Sequence, residues 1–195
     1  MNTLKMMKTI KFLFAAVALL VATSTFAQSY QVDTKTSKIH WEGKKIGGAH
    51  DGHIKFKEGS FTVKDDVIKE GNFVIDMNSI TNDDIESDEY RAKLIGHLKS
   101  DDFFGVDKYA TAHLKVTSAG KFVEGVAVVK GDLTIKGTSH PIEFEVKKTG
   151  KVYETVLKVD RAKYDIRYGS KSFFDNLGDK VIDDIFTLTV SLSVQ

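Results

Sequence analysis

FTLTVSLSV, residues 186–194, places Phe186, Leu188, Val190, Leu192 and Val194 on one side of an extended chain and Thr187, Thr189, Ser191 and Ser193 on the other. Successive side chains of a strand point to opposite faces, so this two-residue alternation predicts a strand with one dry face and one wet face.

The same alternation recurs upstream. Ile39 and Trp41 alternate with Lys38, His40 and Glu42, and Ile54 and Phe56 with His53, Lys55 and Lys57. Ala112, Leu114 and Val116 alternate with Thr111, His113 and Lys115, and Ile142, Phe144 and Val146 with Glu143, Glu145 and Lys147. Further strands are expected near Phe61, near Phe73 to Met77, at Val123 to Ile135 and at Val152 to Val159, about eight or nine in all. Short strands separated by turns rich in Gly, Asp, Asn or Lys predict an antiparallel sandwich or barrel, and alternation alone does not choose between them. Pro141, the single proline, is expected to begin a strand, where a missing donor is tolerated.

Two segments break the pattern. SDEYRAKLIGHLKSDDFF, residues 87–104, has Ser87, Asp88 and Glu89 as a helix start, then Tyr90, Leu94 and Leu98 at helical spacing, and ends on the aromatic pair Phe103-Phe104. A short helix on a β framework must bury its apolar stripe against a barrel mouth or a sheet edge. A second irregular stretch, residues 164–179, carries another aromatic pair, Phe173-Phe174.

The N-terminus reads as an export signal. Lys5, Lys8 and Lys11 precede the apolar run Phe12 to Val21, and Thr25 and Ala27 supply the small residues that a signal peptidase reads. The run is short of the roughly 20 residues of a membrane span. Residues 1–27 are therefore expected to be cleaved, leaving 28–195 as one domain, with no repeat or linker inside it. Loss of the three lysines turns a formal net charge of +1 slightly negative, which does not favour nucleic acid or an anionic membrane. The count of cysteines is zero, which excludes a disulfide framework, a thiol nucleophile, thiolate metal sites and a lipidated cysteine anchor.

GGAHDGHIKF, residues 47–56, raises the question of a metal site, because His50, Asp51 and His53 are all ligand types. Positions three apart face opposite sides of a strand, and the glycines disfavour a helix that would bring them together. The expectation is a turn between the first two strands formed by Gly47, Gly48 and Asp51-Gly52, with His50 on the turn and His53 and His40 outward. His50 would meet a ligand head group only if this turn lay at an open mouth. Acid pairs such as Asp83-Asp84 and Asp183-Asp184 read as solvated turns. The chain has no G-x-S-x-G elbow, H-E-x-x-H helix or phosphate-binding glycine loop.

YQVDTKTSKIHWEGKK, GHIKFKEGSF, FVIDMNSI, KLIGHLKSDDFF, GDLTIKGTSHPIEF, DRAKYDIRYGS and LGDKVIDDIFTLTVSL follow one another in an order that resembles the YceI-like family of exported, lipocalin-like, polyisoprenoid-binding proteins, over residues 30–195. One departure is Tyr109-Ala110, where the family carries a proline, which leaves that turn one constraint short. The resemblance implies an antiparallel β-barrel of about eight strands with one or two short helices near the mouth, enclosing an apolar cavity. It implies non-catalytic carriage of a long-chain isoprenoid or fatty-acid-like amphiphile, without cofactor or metal, in the periplasm. A homodimer stays open, as do two rival readings, a ligand-free packed barrel related to envelope stress and a metal-dependent enzyme. On the inward faces, the residues expected to bind ligand are Trp41, Ile54, Phe56, Phe73, Ile75, Leu114, Leu133, Ile135, Ile142, Phe144, Phe186 and Leu188. Phe103 and Phe104 are expected at the mouth, with Phe173 and Phe174 as further partners.

Overall fold

The computed structural model describes residues 26–195, so the export-signal reading of residues 1–27 lies almost wholly outside the described residues. Nine strands are described: β1 (Gln28–Gln31), β2 (Lys38–Lys45), β3 (Gly48–Lys64), β4 (Val67–Asp76), β5 (Thr111–Ala119), β6 (Val126–Ile135), β7 (Thr138–Thr149), β8 (Val152–Asp160) and β9 (Ile182–Ser193). A single α-helix among them, α1 (Asp88–Lys99), and short 3₁₀ turns complete the described structure.

Eight strands close into an antiparallel barrel. The order runs β3-β2-β9-β8-β7-β6-β5-β4, and β4 pairs back onto β3. The long β3 is shared: its first half pairs with β2, and its second half pairs with β4 on one side and with β1 on the other. Closure selects the barrel over the sandwich. Gln195 N–H donates to the Gln31 carbonyl at 3.1 Å, which sets the C-terminus beside β1.

Seven of the eight seams carry long ladders. The exception is β7–β8, which pairs only at Lys147 with Glu154, Lys148 with Tyr153 and Thr149 with Val152, next to the hairpin. Beyond those pairs β7 is bonded only to β6, and β8 only to β9. Pro141 lies within this one-sided part of β7 rather than at its start, on a strand whose second edge makes no ladder.

The first hairpin also differs from expectation. The chain reverses at Ile46-Gly47, where Gly47 has φ +84°, and Asp51-Gly52 lies inside β3. Gly52 is there because the backbone of another segment comes close: a Cβ at this position would stand 2.1 Å from the Thr81 carbonyl oxygen. Residues 79–84 run along the edge of β3 that β4 leaves free, with Thr81 N–H donating to His53 O and Asp83 N–H to Asp51 O.

That segment leads into α1. Ser87 caps the helix by accepting from Tyr90 N–H, Asp88 and Glu89 occupy the first turn, and His97 and Lys99 the last, as the helix dipole favours. Leu98 is buried and Leu94 half-buried, but Tyr90 is 64 % exposed and not part of the seated stripe. The turn after the helix is firmly closed despite Tyr109-Ala110, by Lys108 and Tyr109 N–H groups donating to Gly105 O and by the Lys108–Asp101 pair at 2.7 Å.

Candidate functional site

The inward positions of the strands surround an apolar cavity of about 220 Å³. Trp41, Ile54, Phe56, Phe73, Ile75, Leu114, Leu133, Ile135, Phe144, Phe186 and Leu188 line it, together with Phe103 and Phe104. Ile142 shares their parity and packs against the core, but the cavity stops short of it. A cavity of roughly 150 Å³ lined by Leu, Ile and Phe already stays dry and accepts benzene-sized guests, so this lumen is a better solvent for hydrocarbon than for water.

Each end is closed differently. At the α1 end, Leu98, Phe103 and Phe104 enter the barrel, with ring centroids of Phe103 and Phe104 5.1 Å apart and Phe104 6.4 Å from Phe186. At the hairpin end, Phe61 stacks on Tyr30 at 5.2 Å and meets Tyr153 edge-on at 4.9 Å. Phe173 and Phe174 do not reach the lumen: both are exposed, and Arg167 lies over the Phe173 ring. The loop that carries them turns outward, so their pairing with Phe103 and Phe104 does not occur.

Polar groups at the lumen are few. Arg161 lines it and is 1 % exposed, yet its fork is spent on carbonyls: Nε donates to Asp183 O, Nη1 to Ile166 O and Tyr168 O, and Nη2 to Ile182 O. Asp184 stands 3.4 Å from Nη2, and the guanidinium sits over the Phe103 ring. Burial pulls the Arg161 guanidinium down from its ordinary value, and Asp184, Asp160 and Asp183 pull it back. Its charge ties the turn after β8 to the start of β9 and packs on the Phe103 ring. Asp184 is thus a structural partner, not a solvated turn acid. Burial also pushes the Tyr153 and Tyr164 phenols up to about 12, with smaller contributions from Tyr30 and Asp160 respectively. Thr155 is different: its hydroxyl, on the lumen side of β8, is buried without a hydrogen-bond partner.

The histidines form pairs with carboxylates. His40 meets Asp51 at 2.8 Å, His50 meets Asp84 at 2.8 Å and His53 meets Asp83 at 2.6 Å. His50 therefore belongs to a strand, not a turn, and Asp83-Asp84 is a clasp rather than a solvated pair. Burial alone would raise the Asp84 carboxyl, but hydrogen bonds from His50, the Asp51 N–H and Asn82 outweigh it and hold it down to about 2. Among the described residues no three His, Cys, Asp or Glu side chains are grouped to share a metal ion. The His50–Asp84 and His53–Asp83 pairs fasten residues 81–84, and with them the approach to α1, onto the edge of β3, while His40–Asp51 ties β2 to β3.

The alternation reached the aromatic wall but missed Tyr153, Thr155, Leu157 and Arg161. The first three sit at alternate positions of KVYETVLKVD, where a register reading would have found them; a spent arginine carries no such signal.

Fold and lumen together define a hollow antiparallel barrel of the lipocalin-like type. The YceI-like domain model matches residues 30–194, and the chain belongs to the YceI-like family. A UPF0312 protein of Yersinia enterocolitica is 31% identical over 148 residues, covering 73% of each chain. A UPF0312 protein of Vibrio parahaemolyticus is 29% identical over 148 residues, covering 72% of this chain and 75% of its own. Among solved structures, BcnA of Burkholderia cenocepacia superposes with a TM-score of 0.59 at 17% identity, over 83% of this chain and 98% of its own. A polyisoprenoid binding domain from Saccharophagus degradans, implicated in plant cell wall breakdown, superposes at 0.58 and 19% identity, over 85% and 97%. At these identities the two structures establish the shared fold.

Proposed function

We propose that this protein binds a long-chain apolar amphiphile, isoprenoid or fatty-acid-like, inside the barrel and carries it without chemical change. The observation that supports this most is the apolar, aliphatic and aromatic lumen of about 220 Å³ in a barrel that shares its fold with a polyisoprenoid binding domain. Each methylene moved out of water contributes roughly 0.8 kcal/mol, so about ten of them supply roughly 8 kcal/mol, the scale of micromolar binding before the costs of association. Hydrocarbon burial is therefore the main source of binding energy, growing with chain length, and the Arg161 charge, already spent on carbonyls, is not part of it.

Carriage fits an exported protein working in the periplasm, where a long chain has no other apolar shelter between membranes. Among the described residues no helix is long and apolar enough to cross a membrane. The test is solvent extraction and mass spectrometry of protein purified from its native envelope. A stoichiometric isoprenoid or fatty-acid species is the expected result; repeated absence, with no uptake of added lipid, would favour a ligand-free structural barrel.

A further inference from the structure

The short β7–β8 seam is the weak line of the wall. Continuing the register of Lys147 with Glu154 would set Val146 against Thr155, Glu145 against Val156 and Phe144 against Leu157, and none of these pairs forms. The six β8 residues 155–160 span about 20 Å at 3.3 Å per residue. The split is bounded below by the hairpin at Gly150-Lys151. Above, the His140 ring meets Lys163 O at 2.8 Å and the Tyr164 ring edge-on at 5.2 Å.

Both banks of the split belong to the lumen. Phe144 and Val146 on β7 and Thr155 and Leu157 on β8 line the cavity, and the Thr155 hydroxyl has no partner. Outside, Val156 on β8 is 57 % exposed. The α1 end offers no comparable gap, because Leu98, Phe103 and Phe104 fill it and the histidine–aspartate pairs hold the segment leading to it.

We propose that a long apolar chain enters and leaves the barrel sideways, through the split between β7 and β8, with the α1 end acting as a fixed cap. Passage at any other seam requires breaking a ladder of backbone hydrogen bonds, each worth about 1 kcal/mol. At this seam no ladder stands in the way over six residues of β8. The inference rests on the binding reading above and adds the route to it.

The cysteine-free chain makes the test direct. Glu145→Cys with Val156→Cys, joined by a short bismaleimide, bridges the split. Lys115→Cys with Asp132→Cys, joined in the same way, bridges a paired position of the β5–β6 seam as control. Uptake and release of cis-parinaric acid, a fluorescent long-chain probe, are followed by stopped flow alongside equilibrium titration. The expected result is that the β7–β8 bridge slows both rates about tenfold or more, leaving affinity within about twofold, while the control bridge changes neither. Unslowed rates with normal affinity overturn the route alone. No uptake by the unbridged protein overturns the binding reading and the route together. A bulky maleimide on Val156→Cys alone supplies a second check and should slow uptake in the same direction.

Discussion

The β2–β3 flank and the β7–β8 flank are built from the same alternating pattern and end in opposite states. On the first, a continuous ladder from Ile39 with Ile54 to Lys45 with Gly48 is reinforced by the His40–Asp51 pair, and residues 79–84 lie along the edge that remains. On the second, three register pairs beside the hairpin hold two strands whose inward side chains line the cavity with no ladder beyond those pairs. A barrel can thus be closed as a ring without being uniformly sealed. What separates the flanks is the supply of backbone partners, since hydrophobic burial is present on both.

A buried charge gives the largest contrast. Phe56→Asp puts a carboxylate on the part of β3 that pairs with β4, against Phe73 and opposite Ile75, and should cost several kcal/mol or prevent folding. Phe144→Asp, on the open bank, should cost clearly less and show as a folded protein that has lost lipid retention. Equal losses of thermal stability in the two variants would remove the distinction. Next, Gly52→Ala drives a methyl group into the Thr81 carbonyl and should destabilise by about 1–3 kcal/mol in a denaturant melt. Pro141→Ala, on the one-sided part of β7, should stay within about 0.5 kcal/mol of wild type.

An effect of opposite sign is expected at Thr155. Thr155→Val removes the unpartnered hydroxyl and should stabilise by about 1 kcal/mol. Absence of any gain would mean that solvent reaches the hydroxyl through the split. A last effect is confined to acid. The Asp84 carboxyl is held down to about 2, below the ordinary carboxylate value near 4, so its contribution is complete above about pH 4 and is lost as pH falls through about 2. Asp84→Asn should flatten that acid limb of the stability–pH curve, and loosening should begin at the segment leading to α1, leaving the β7–β8 flank as it was.

How much of this was legible depended on how far apart the partners lie. Phe186 and Leu188, or Ile54 and Phe56, announce their face within a few residues, because a strand repeats every two. The barrel's closure and the clasp do not: His53 and Asp83 meet across thirty positions of chain, and the Asp-Gly dipeptide at 51–52 resembles a turn until Thr81 is seen to crowd it. Pro141 did carry information about the split, since a residue that cannot donate suits a strand with a bare edge. Read as a strand start it pointed only to a boundary. Ile142 marks the limit of parity, which assigns a face but not the extent of a void.

The bond from Gln195 to Gln31 gives the molecule a polarity for handling. β1 and the C-terminus leave together at the hairpin end, so a tether at either one holds the barrel by its base. On a sensor surface attached there, the α1 cap faces solution and the long axis stands away from the support. The flank between β7 and β8 is then free along its length.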